Sequence, residues 1–147
     1  MLDANAFARG LIGAFIVAQL WSSPATAQTA RTVAQKSFRS VVLLMMQDES
    51  GQPLSLGSGF FVAPGIIATN LHVVAGASRG TAKLVGRSQI SSILGVVALD
   101  ASADLTLLKV SIEDAPPLVI ADSALISPGD EVFAVGNPQG LEGTISQ

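Results

Sequence analysis

The chain has no cysteine, one histidine, and charge on only 13% of its 147 residues. Without cysteine there is no disulfide framework and no thiolate metal site. A single histidine with no carboxylate cluster around it is a poor basis for a metal site of any kind. No metal and no other cofactor is therefore expected. The eight Lys and Arg residues are scattered and the net charge is −3. There is no basic stripe to neutralise phosphates, which argues against nucleic acid as a partner. Low charge together with 49% hydrophobic residues excludes a disordered chain. The length is that of one ordinary domain, short of the roughly 200 residues that a two-barrel unit needs.

The chain also lacks an apolar run of the about 20 residues that a membrane-crossing helix requires. It does have a shorter one. Arg9 precedes Leu11 to Trp21, a helix-ending Ser22-Ser23-Pro24 follows, and then Ala25-Thr26-Ala27-Gln28. Basic, apolar and small-residue regions in this order make a secretory signal peptide, with the A-x-A step placing cleavage after Ala27. Residues 1–27 are thus expected to leave an exported chain, periplasmic or secreted, with no stable membrane anchor. Residues 28–37 are small and polar and read as a linker or first turn.

From residue 38 the pattern is one of short apolar runs closed by turn residues. Val41 to Met46 is bounded by Asp48-Glu49-Ser50-Gly51-Gln52-Pro53 and reads as a buried strand. Gly57 to Val62, a Pro64-Gly65 turn and Ile66 to Thr69 make a hairpin. Ala82 to Arg87, Ser91 to Leu99 and Leu105 to Val110 continue the series. Ala115-Pro116-Pro117 is the best internal boundary. Leu118 to Ala121 and Glu131 to Val135 read as two more strands, with turns at Ser127-Pro128-Gly129-Asp130 and Asn137-Pro138-Gln139-Gly140. Apart from one helical turn around Leu71 to Ala75, nothing after residue 28 keeps a 3.6-residue period. Many short strands at regular spacing predict an all-β barrel or sandwich.

His72 lies within Gly57-Ser58-Gly59-Phe60-Phe61-Val62-Ala63-Pro64-Gly65-Ile66-Ile67-Ala68-Thr69-Asn70-Leu71-His72-Val73-Val74. A lone histidine among apolar residues is ordinarily a packing residue. Here the order of elements around it resembles the histidine segment of chymotrypsin-fold serine proteases of the HtrA/Deg family. Asp104 opens Asp104-Leu105-Thr106-Leu107-Leu108-Lys109-Val110, which resembles the aspartate segment of the same family; Asp100, four residues earlier, falls where the family has a turn residue. Gly129 to Leu141 resembles the segment that opens the family's second barrel. The resemblance spans roughly residues 38–147.

The resemblance implies a chymotrypsin-like antiparallel β-barrel over residues 38–115 and the start of a second barrel over 116–147. It implies His72 and Asp104 as catalytic residues of a Ser-His-Asp triad. A serine hydroxyl needs a base whose pKa lies near the working pH, and histidine is that base. A buried carboxylate on its other nitrogen sets the tautomer and stabilises the imidazolium. The serine turn itself is missing: Ser111, Ser123, Ser127 and Ser146 follow Asp104, and none precedes a glycine. The expected activity is that of an exported serine endopeptidase, of which these 147 residues form a piece without the nucleophile, inactive on its own. Its partners would be extended or unfolded polypeptides, and the full-length protein could be a homo-oligomer. A non-catalytic peptide-binding module on the same scaffold is the alternative. A small lipocalin-like envelope barrel is a third reading, which would leave both family-like segments as coincidence.

Overall fold

The computed structural model describes residues 25–112, 114–137 and 143–146. The expected signal segment therefore lies outside the described residues up to residue 24, as does most of the turn expected at Asn137 to Gly140. Six antiparallel strands close a barrel: β1 Val41–Gln47, β2 Pro53–Ala63, β3 Ile66–Asn70, β4 Arg79–Leu84, β5 Ile90–Asp100 and β6 Leu105–Val110. Their order around the barrel is β1-β2-β3-β6-β5-β4. This is the chymotrypsin-like all-β fold expected from the sequence.

The barrel closes around side chains that alternate along each strand. Val42, Leu44 and Met46 from β1 meet Phe61 from β2, Ile67 from β3, Ala82 and Leu84 from β4, and Leu108 and Val110 from β6. The period of two puts each set on the inner face. Small residues make room for the large ones. A Cβ on Gly59 would lie 2.6 Å from Ile67 Cγ2, and one on Gly80 would lie 2.6 Å from Met46 Sδ. At position 59 glycine is a packing requirement, because the Ala68 carbonyl would also lie 3.0 Å away, whereas at position 80 the end of the Met46 side chain could shift. The core continues past β6 through Ile112 and Ala115.

Several boundaries differ from the sequence expectation. Residues 28–37, read as a linker, belong to a helix, α1, Ala25–Ser37. Its alanines, glutamines, Arg31 and Lys36 are good helix formers, and Lys36 in the last turn complements the helix dipole. No apolar stripe announces it, so a search for 3.6-residue periodicity passes over it. Strand β2 starts at Pro53, before Gly57, because Gln47 and Met46 pair with Pro53 and Ser55. Strand β4 ends at Leu84 and starts at Arg79, where it pairs with Gln47. Residues 118–121, expected as a strand, form none: Leu118 N–H reaches Phe61 O at 2.8 Å, and Val119 is 93% exposed. The expected strand 131–135 shrinks to β7, Ala134–Gly136, paired with β8, Thr144–Ser146.

Among the described residues, Asn137 ties this second, two-stranded sheet to the barrel by both its side chain and its backbone. Asn137 is 2% exposed. Its Nδ2 donates to Val42 O at 2.9 Å, and its Oδ1 accepts from Gly143 N–H at 3.0 Å. Its own N–H donates to Ser58 Oγ at 2.7 Å. A buried side-chain amide with two partners, together with the bonded backbone N–H, fixes where the chain goes after the barrel.

Candidate active site

The site forms where the end of one strand lies beside the start of its antiparallel neighbour. Strand β3 ends at Asn70 and β6 begins at Leu105, and these two residues pair across the ladder. His72 therefore leaves β3 beside the residue that enters β6. Strand β3 runs into a single helical turn, α2, Leu71–Val74, which turns the His72 side chain out of the ladder. Val73, the next residue, points into the barrel and is 7% exposed; a Cβ on Gly57 would lie 2.5 Å from its Cγ1. The anchoring of α2 by Val73 fixes the base of His72.

Asp104 arrives from the other side on a tight turn, residues 101–104, and has φ of 49°. Asp is one of the few residues that tolerate the left-handed region, because its short polar side chain can bond locally. Four hydrogen bonds hold its carbonyl and carboxylate. Its carbonyl accepts from Leu71 N–H at 3.1 Å and from Asn70 Nδ2 at 3.2 Å. Its Oδ1 accepts from His72 N–H at 2.9 Å, and its Oδ2 lies 2.6 Å from His72 Nδ1.

The Asp104 carboxyl is held below its ordinary 3.8, first by the His72 backbone N–H, then by the His72 ring. It is therefore ionised at neutral pH and accepts hydrogen bonds only. The Nδ1 of His72 must be the donor, and in the neutral ring Nε2 is then an acceptor with its lone pair directed away from Asp104. That is the tautomer a general base needs. The pair is open to solvent: the His72 side chain is 72% exposed and the Asp104 side chain 45%. The carboxylate expected to be buried is thus only half covered among the described residues. Its orientation comes from the hydrogen bonds of the turn and not from a surrounding core. An ion pair this exposed adds little to stability, so the geometry serves position more than strength.

Asp100 stands apart from this arrangement. Its Oδ1 accepts from Ser102 N–H at 2.9 Å, Ser102 Oγ at 2.6 Å and Ala103 N–H at 3.2 Å. It builds the turn that delivers Asp104. Asn70, whose amide meets the Asp104 carbonyl, is a participant to which the sequence assigns no role. Among the described residues no group of three or more His, Asp or Glu side chains could hold a metal ion.

Acidification tests this electrostatic reading. Asp104, Asp100 and Asp48 all have lowered pKa values, the last two chiefly through the hydroxyls of Ser102 and Ser50. A carboxyl lowered in the folded state adds stability above its unfolded pKa and loses it as pH falls through its folded pKa. Thermal midpoints should therefore be level above about pH 5 and fall on acidification below about pH 4. The same window should break the His72–Asp104 bond, seen as loss of the Nδ1 proton signal by NMR. A midpoint that holds or rises below pH 4 would contradict the assignment.

Comparison with known proteins agrees with the fold. The trypsin-like peptidase domain family matches residues 57–147, more than half of the chain. A protein of Rickettsia conorii named a probable periplasmic serine endoprotease DegP-like is 39% identical over 102 residues, 67% of this chain and 20% of the relative. One of the same name from Hahella chejuensis is 40% identical over 93 residues, 63% of this chain and 19% of the relative. The anti-sigma-I factor RsgI9 of Acetivibrio thermocellus is 32% identical over 111 residues, 74% of this chain and 15% of the relative. The chain spans about a fifth or less of the length of these relatives. With its closed barrel and a family match that runs through both the His72 and Asp104 segments, the chain belongs to the trypsin-like peptidase domain family.

Proposed function

We propose that this chain carries two members of the Ser-His-Asp triad of an exported serine endopeptidase, His72 as general base and Asp104 as the carboxylate that orients it. The observation that carries the reading is the 2.6 Å contact between His72 Nδ1 and Asp104 Oδ2. With Nδ1 donating, Nε2 takes the proton of the serine hydroxyl as the oxygen attacks the scissile carbonyl. His72 then returns that proton to the leaving amine, which breaks the peptide C–N bond, and Asp104 stabilises the imidazolium between the two steps. Water repeats the sequence on the acyl-enzyme.

The nucleophile and the amides of the oxyanion hole come from residues outside these 147. None of the serines after Asp104 precedes a glycine, and the relatives are several times longer than the matched region. The barrel over 38–115 and the start of a second over 116–147 would face each other across the substrate cleft. The substrate is an extended polypeptide that adds main-chain hydrogen bonds at a strand edge. Export is supported by the signal-like residues 1–27 and by the word periplasmic in the names of the Rickettsia and Hahella relatives.

That no serine after Asp104 precedes a glycine also favours a second reading, a peptide-binding module without catalysis. A fluorophosphonate probe separates the two. Residues 1–147 alone should not label. The natural reading frame continued through a glycine-flanked serine should label with one equivalent. Labelling of the 147-residue chain would place the nucleophile among Ser111, Ser123, Ser127 and Ser146, and a frame without a glycine-flanked serine would establish the binding module.

A further inference from the structure

Asn70 occupies the position immediately before α2, with extended backbone angles of φ −74° and ψ 143°. Asn is among the best residues at this position because its side-chain oxygen can accept from an amide of the first helical turn. Asn70 makes no such bond. Its amide turns across the ladder, and Nδ2 donates to the Asp104 carbonyl at 3.2 Å. The side chain is exposed, so no packing demand accounts for this choice.

The target of that bond is the most unusual backbone in the barrel. Asp104 is the one non-glycine residue with positive φ among the described residues. Such a conformation persists only where its surroundings over-determine it. The Asp104 N–H has only a long contact with Ala101 O, 3.5 Å. Its carbonyl, in contrast, is gripped twice, by Leu71 N–H and by Asn70 Nδ2. Rotation of the Asp104 backbone out of the left-handed region would swing its Cβ and carry the carboxylate away from both His72 contacts. The Asn70 amide also helps to keep the Asp104 carboxyl below its usual range, after the His72 backbone N–H and ring.

We propose that Asn70 is a positioning residue of the active site: it locks the left-handed backbone of Asp104 and so holds the carboxylate on His72 Nδ1. This inference rests on the proposed roles of His72 and Asp104, and it assigns to the residue two before the base a task that acts only through the carboxylate.

The test uses the full chain and needs no turnover. Asn70→Leu keeps the size of the side chain and removes its donor; Asn70→Gln keeps the amide on a longer arm. Loss of one ordinary hydrogen bond should lower the population of the bonded His72–Asp104 pair about fivefold in Asn70→Leu. The downfield Nδ1 proton of His72 should broaden or vanish, and the Asp104 carboxyl should titrate closer to 3.8. Asp100 and the His72 ring are the titratable neighbours to resolve in that experiment. Asn70→Gln should restore the proton signal in part. An unchanged Nδ1 signal and Asp104 titration in Asn70→Leu would overturn the proposal, as would an equal loss of thermal stability in both variants with those two readouts unmoved. Failure of the peptidase reading is a separate result: turnover of the serine-bearing protein that survives His72→Ala, whatever Asn70 does.

Discussion

His72→Ala in the serine-bearing protein is expected to remove about 10⁶ of the turnover, the loss seen when the base of a subtilisin-type triad is deleted. The reason is the division of labour at the two ring nitrogens. Nδ1 is committed to Asp104 at 2.6 Å, so Nε2 alone can take the serine proton. Without the ring, the hydroxyl must attack unaided. Asp104→Asn should be milder, about 10⁴ in kcat, because an amide N–H donating to Nδ1 holds the His72 ring in the wrong tautomer but leaves the ring in place. The two substitutions together should cost little more than His72→Ala alone, since the pair acts as a unit. Peptide-cleavage kinetics on folded variants provide the measurement. A drop of less than about a hundredfold for His72→Ala would assign the base elsewhere, because general-base catalysis by one group is itself worth at least that much.

The second large effect is expected in the barrel interior. Phe61 is fully buried. It sits on β2 opposite Ile67 of β3 and within the cluster that includes Leu44, Leu84 and Leu108. Phe61→Ala removes most of a ring's apolar area and leaves a cavity that the closed barrel cannot collapse, because every strand is hydrogen-bonded on both sides there. The cost should be about 3–5 kcal/mol, a large part of the roughly 5–15 kcal/mol that holds a typical domain together. A fall in thermal midpoint on the order of 10–25 °C should accompany it. A loss below about 1 kcal/mol in denaturant unfolding would mean that Phe61 is not a central core residue. The two predictions separate cleanly: His72 is exposed and its removal should leave the midpoint nearly unchanged.

Much of this was legible along the chain. Val41 to Met46, the Pro64-Gly65 turn, Leu105 to Val110 and the helical turn at Leu71 could be placed because each is a local pattern bounded by turn residues. The assignment of Asp104 over Asp100 came from resemblance to a family and not from spacing. The structure supplies a physical contrast between them: Asp100 spends its carboxylate on Ser102 and Ala103, whereas Asp104 directs its own at His72. Helix α1 was not legible, because propensity without an apolar stripe leaves no periodic signal. Nor was the contrast between β1 and β5. Both are apolar runs, but β1 is buried almost throughout, while Leu94, Val96, Val97 and Leu99 of β5 are each more than half exposed. Burial of an apolar run depends on what packs over it, which no local window contains.

The sequence by itself determined an all-β chain and the strand-and-turn order of the barrel, because periodicity and turn chemistry are local; the two residues to watch came from resemblance to a family. Only the tertiary structure decided that β3 and β6 are neighbours. That pairing sets Asn70 opposite Leu105, brings together residues 32 positions apart, and lets the Asn70 amide reach the strained Asp104 backbone. Contacts of this kind arise from closing the barrel, a cooperative choice made by the whole core, and they cannot be read from the residues on either side of the gap.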